Sequence, residues 1–131
     1  MQFRNNYLSN MYPCTIELYG IRYSCSEALF QSIKLPLCKR NIFANKTGAE
    51  AKRLGENIKQ PKNWDYLRIN AMRTAVYEKF KQNPILREKL IATGDEYLQE
   101  EGDPFWGVLD GKGENMLGKI LMQTRERFKI P

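Results

Sequence analysis

The stretch SEALFQSIK places an acid, an amide and an amine, Glu27, Gln31 and Lys34, at helical spacing. On a 100° wheel they fall in one narrow arc beside Phe30, with Leu29 and Ile33 on the far side. A carboxyl, a carboxamide and a primary amine in one file can move a proton, orient a hydroxyl and attack an electrophilic carbon. Seven helical residues put Lys34 roughly 10 Å from Glu27 along the axis, too far for a direct pair. The file therefore reads either as a solvated face or as three groups that converge on one ligand.

A second concentration lies in EEGDPFWGVLDGKGEN, where Glu100, Glu101, Asp103, Trp106, Gly107, Asp110 and Asn115 crowd together. Carboxylates beside a glycine-flanked Trp suit a stacking platform with a general acid or base, or an acidic turn with Trp106 in the core. LSNMYP, with Ser9 and Asn10 near Tyr7, offers short adaptable hydrogen bonds, as a ligand loop or a structural turn would. In the Trp64-Asp65 pair the acid suits a helix N-terminus and the Trp can anchor the helix.

The remaining residues narrow the chemistry. The 131-residue chain contains no histidine, so His-based zinc sites, Ser–His triads and Cys–His dyads are excluded. Three cysteines without a CxxC pair make a poor disulfide framework and a poor zinc site. No apolar run reaches the ~18 residues that span a bilayer, and MQFRNNYLSN lacks a signal-peptide core. The expectation is a soluble cytoplasmic protein with no membrane, metal or cofactor. The formal charge of +6 favours phosphate-bearing partners without identifying one.

Element signals supply a frame for these groups. TIELYGIRYS reads as a hairpin around Tyr19-Gly20. Ser26 is the expected N-cap of a first helix running to about Lys34, which Pro36 stops. Thr47 opens a capping box, TGAE, and Gly55 closes that helix. WDYLRINAMRTAVYEKFKQ reads as a long amphipathic helix whose apolar face includes Leu67, Ala71, Ala75 and Phe80. Pro84 starts another, ended by Gly94. EYLQE and FWGVL look extended, GKGE forms a turn, and Asn115 is the expected N-cap of a last helix, MLGKILMQTRERF. The architecture expected is α+β: one mostly helical domain over residues 1–131 with a small β element.

Taken together and in order, YLSNMYP, GIRYSCSEALFQSIK, AEAKRLG, NWDYLRINAMR, EKFKQNPILREKLIATGDEYLQE and DPFWGVLDGKGENMLGKILMQTR resemble the YbiA-like, or NADAR, family over nearly the whole chain. The resemblance implies a metal-independent N-glycosidase cleaving the bond between ribose C1 and an amino nitrogen. The substrates it implies are ADP-ribose on guanine or phosphoribosylamino-pyrimidine intermediates of riboflavin synthesis. It implies Lys34 as a Schiff-base lysine, with Glu27 and Asp103 as its catalytic acids. Tyr7, Ser9, Asn10, Gln31, Trp64, Glu100, Trp106, Gly107 and Asn115 are then expected to bind a ribosylated nucleotide or ADP-ribosylated DNA. A non-catalytic ADP-ribose-binding module is the alternative from a different class. Where the family often has His and an aromatic after its Glu, this chain has Ala28 and Leu29, so departures fall on the aromatic surround.

Overall fold

The hairpin turns on a tyrosine and a glycine, of which only the glycine takes a left-handed backbone without steric cost. In the computed structural model, which describes residues 6–130, Tyr19 and Gly20 both take positive φ, 52° and 79°. That two-residue turn joins β1 (Ile16–Leu18) to β2 (Ile21–Tyr23) in the antiparallel register Ile16↔Tyr23. Helix α1 follows (Ser26–Ser32), then a 3-10 turn (Leu37–Phe43), α2 (Gly48–Glu56) and α3 (Trp64–Gln82). These elements belong to one compact unit, residues 10–83. The other unit combines residues 6–9 with α4 (Pro84–Ala92), an irregular bridged segment and α5 (Met116–Lys129). The architecture is thus mostly helical with a small two-stranded sheet, as the sequence leads one to expect.

In the first unit α1 packs on both α2 and α3. Helix α2 opens with the full capping box, Thr47 and Glu50 each bonding the other's backbone N–H. It turns Gly48, Ala51 and Gly55 inward, a face with almost no side chain. A Cβ at Gly55 would collide with the Gln31 carboxamide, so the amide of α1 packs directly on the α2 backbone there. Gly55 is accordingly a helical packing residue, and α2 ends one residue later at Glu56 with Asn57 as C-cap. Helix α3 buries Ala71, Met72, Ala75, Val76 and Phe80, while Leu67, expected on that face, is 41% exposed. At the far end of α3 the Gln82 amide both accepts from Glu17 N–H and donates to Glu17 C=O, at 2.8 Å each. It thereby satisfies the open edge of β1 as another strand would.

Two expected caps are used differently. Cys25, not Ser26, is the N-cap of α1, because the Ser26 hydroxyl is drawn to Asn10 Oδ1 at 2.8 Å. Asn115 does precede α5, but in a left-handed conformation with no side-chain cap. Its amide instead donates to Leu98 C=O and accepts from Glu100 N–H, at 2.9 Å each. The pieces EYLQE and FWGVL form isolated bridges, Glu101↔Val108 among them, rather than strands. The turn around GKGE centres on Asp110-Gly111, both at positive φ, with Leu109 and Lys112 bridged across it. In the second unit Leu86 and Leu90 of α4 join Leu117, Ile120 and Leu121 of α5 as buried apolar residues.

One buried charge was not legible as such. Lys79 sits on the apolar side of α3 at 1% exposure, its Nζ 5.2 Å from the Phe80 ring centroid and 6.0 Å from that of Tyr12. Burial lowers its pKa to about 8, against smaller opposing contributions from Cys14 and Cys25. Below about pH 8 the ammonium is carried in both folded and unfolded chains. Between there and the unfolded value the unfolded chain binds the extra proton, so stability rises with pH. In urea titrations from pH 7 to 10, wild type should gain roughly 2–4 kcal/mol relative to Lys79→Met. Parallel curves would show that the amine stays charged. Gly55→Ala should lower stability by about 1–3 kcal/mol at any pH, by forcing the Gln31 amide away from α2.

Candidate functional site

Asn10 fixes where the acid of α1 points. Its backbone carbonyl accepts the Glu27 N–H at 3.0 Å, and its Oδ1 accepts the Ser26 hydroxyl. Its Nδ2 lies 3.2 Å from Met72 Sδ on α3. These bonds tie the first turn of α1 to Asn10, and Glu27 lies buried at 9% exposure. Gln31, one turn on, donates from Nε2 to Glu27 Oε2 at 2.8 Å. Its Oε1 is buried and unpaired, set against the Gly55 backbone.

Burial is the chief influence on Glu27, raising its carboxyl to about 7. The Gln31 amide, Lys52 and Lys34 favour the carboxylate, and Glu56 opposes it. A group poised at neutral pH can both give and take a proton.

Lys34 does not continue the file of the wheel. α1 ends at Ser32, and i→i+3 bonds from Ile33 and Lys34 tighten the chain ahead of Pro36. From that turn the half-buried amine crosses to α2, where Nζ donates to Gly55 C=O at 3.1 Å. It lies 5.8 Å from the centroid of Trp64. Burial lowers its pKa, with Glu27 and Glu56 working in the opposite direction. Trp64, 6% exposed, packs on Phe30 at 5.6 Å between ring centroids. Glu27, Gln31, Lys34, Trp64 and Asn10 are therefore one constellation within residues 10–83, built by α1, α2 and the start of α3.

The remaining expected site residues lie in the other unit. Asp103 is exposed, and its Oδ1 accepts the backbone N–H of both Phe105 and Trp106 at 2.7 Å. One carboxylate oxygen thus holds the turn that presents Trp106, whose ring meets Phe105 edge to face at 4.7 Å. Gly107 lies against the Glu100 backbone, with no room for a Cβ, and accepts Asn115 N–H at 2.9 Å. Glu100 Oε1 accepts the Glu101 N–H. Asn115 is buried and its amide braces Leu98 and Glu100. Tyr7 donates its hydroxyl to Lys89 C=O at 3.1 Å, and burial raises its pKa. Ser9 is buried, with its N–H on Asn6 C=O.

Sequence reasoning overlooked Gly55, whose carbonyl receives the amine, Lys52, which acts electrostatically on Glu27, and Glu56, which acts on both Glu27 and Lys34. The i, i+3, i+7 spacing of Gly48, Ala51 and Gly55 was the available signal for a face packed against another helix. Among the described residues no three His, Cys, Asp or Glu side chains converge as a metal site would require. No helix among them is long and apolar enough to cross a membrane.

Comparison with known proteins matches residues 2–129 to the NADAR domain model. A riboflavin biosynthesis protein of Vibrio vulnificus is 37% identical over 132 residues, covering 95% of this chain. This chain spans only 36% of that protein's length. N-glycosidase YbiA of Escherichia coli is 35% identical over 129 residues, covering 93% of this chain and 81% of that protein. The NMR structure of E. coli YbiA superposes with a TM-score of 0.86 at 32% identity, covering 99% of this chain and 84% of that one. With a family model over almost its full length, and relatives and a solved fold in agreement, the chain belongs to the NADAR domain family.

Proposed function

We propose that this protein is an N-glycosidase hydrolysing the bond between ribose C1 and an exocyclic amine, with the whole chain acting as one NADAR domain. The observation that carries the reading is an amine of lowered pKa, Lys34, within electrostatic reach of a buried carboxyl poised near neutrality, Glu27. The names of the YbiA relatives support the same reaction class.

The chemistry follows from the substrate's own lability. Protonation of the ribose ring oxygen opens a glycosylamine to an iminium at C1, and Glu27 in its acid form supplies that proton. Neutral Lys34 adds to C1, the exocyclic nitrogen leaves as the free amine, and a Lys34–C1 Schiff base remains. Water then hydrolyses it, restoring the lysine and releasing the sugar. Gln31, bonded to Glu27, orients the acid and is the residue we assign to the sugar. The role of Asp103, protonating the departing nitrogen or activating water, rests on the family resemblance, as does stacking of the base by Trp106 and Tyr7.

ADP-ribose on guanine in nucleic acid is the substrate that the net charge of +6 supports, since phosphate-rich ligands gain most from a positive protein. The phosphoribosylamino-pyrimidine of riboflavin synthesis is the second reading, favoured by the name of the Vibrio relative. A paired release assay on both substrates, with mass spectrometry of the freed base, separates them. Tight binding of either without release would favour the non-catalytic module.

Two predictions accompany this mechanism. Lys34→Ala should abolish release, together with the borohydride-stable adduct that wild type forms during turnover; full activity in the variant would refute the Schiff base. Glu27→Gln should reduce kcat by roughly 10²–10⁴-fold. In wild type, kcat should fall as pH rises through about 7, where Glu27 loses its proton. That limb should vanish in Glu27→Gln, and its persistence would assign it to another group.

A further inference from the structure

The position of Lys34 is unusual for a nucleophile, because the Gly55 carbonyl and the Trp64 ring beside its amine both prefer the charged form. Gly55 C=O lies in the last turn of α2, at the negative end of that helix, and also accepts Ile58 N–H at 3.2 Å. The ring of Trp64 presents its electron-rich system 5.8 Å from Nζ. Trp64 itself is fixed as the first residue of α3, with its N–H on Pro61 C=O at 3.1 Å and its ring on Phe30. Glu27 from α1 and Glu56 from α2 add attraction for a cation, while burial, the largest influence on the amine, works against the charge. On α3 the nearest charges in sequence, Asp65 and Arg68, approach one another at 4.0 Å.

We propose that the Gly55 carbonyl and the Trp64 ring hold Lys34 as a parked ammonium, making Trp64 the positioning residue that governs release of the amine for attack. The inference rests on Lys34 as the nucleophile of the proposed reaction. Attack requires Nζ to lose a proton and leave both contacts, and a neutral amine has less reason to stay in either. Of the two contacts, only Trp64 is a side chain open to substitution.

The test needs no glycosidic substrate, so its failure is distinct from failure of the release assay. Reductive methylation with formaldehyde and cyanoborohydride, read by mass spectrometry on the Lys34 peptide, gives the pH profile of that amine. Exposed Lys39 in the same digest serves as reference. In Trp64→Leu the midpoint for Lys34 should move to lower pH, with modification near pH 7 about two- to tenfold faster. Trp64→Phe, which keeps a π face, should stay close to wild type. Equal acceleration at every pH with an unmoved midpoint would mean that the Trp merely blocks access, overturning the proposal. Should Trp64→Leu fail to fold, fluorescence decides. In a Trp106→Phe background the remaining emission should follow a titration that disappears on adding Lys34→Met. Emission unaffected by that substitution would equally overturn the proposal.

Discussion

Helices α1 and α2 meet at Gly55 through the Gln31 side chain, because Gly55 contributes none of its own, and the geometry around the amine depends on that contact. The Gln31 carboxamide occupies the space a side chain would have taken. The same absence brings the Gly55 carbonyl within reach of Lys34. One missing side chain therefore leaves room for both the amide and the amine. Any side chain at that position would separate the helices and loosen both groups together.

The acid is governed from the opposite end of α1. Asn10 uses its backbone carbonyl and its side-chain amide to anchor Glu27 N–H, the Ser26 hydroxyl and Met72, three attachments for one residue. The carboxyl carried by that turn is buried and bonded to the Gln31 amide, and burial raises it into the neutral range. Opposite pulls on the two titrating groups follow from the same environment: burial favours the uncharged acid of Glu27 and the uncharged amine of Lys34. Those are the protonation states that ring opening and attack require. Scaffold rigidity and chemistry are thus linked through desolvation rather than through a direct ion pair.

Asp103 illustrates a different economy. A carboxylate oxygen that accepts two backbone N–H groups is committed to the shape of its turn, and Trp106 is one of the residues whose backbone it holds. Asn115 is committed likewise, its amide joining Leu98 to Glu100. Polar residues of this acidic, glycine-rich segment brace an irregular chain from within. Side-chain hydrogen bonds add to the backbone bonds of this segment, such as Val108 N–H to Glu100 C=O, because regular strands do not form there.

Local rules were enough for the elements whose signals are local. The Tyr19-Gly20 turn, the Thr47–Glu50 capping box, the start of α4 at Pro84 and the long α3 depend on one to four neighbouring residues and appear as read. The helical file of Glu27 and Gln31 was also legible, since i and i+4 meet on any helix and do so here at 2.8 Å. Tertiary structure decided what lies beyond one turn. Ser26 gave up its cap to Asn10, Lys79 went into the core, and Lys34 left the file for a carbonyl on another helix. In each case the deciding partner is far along the chain, or the burial is imposed by the whole fold, and neither can be read from periodicity. The sequence by itself determined which groups are available for chemistry. Only the packing of α1, α2 and α3 decided which are desolvated and which meet, because desolvation belongs to the surroundings and not to the residue.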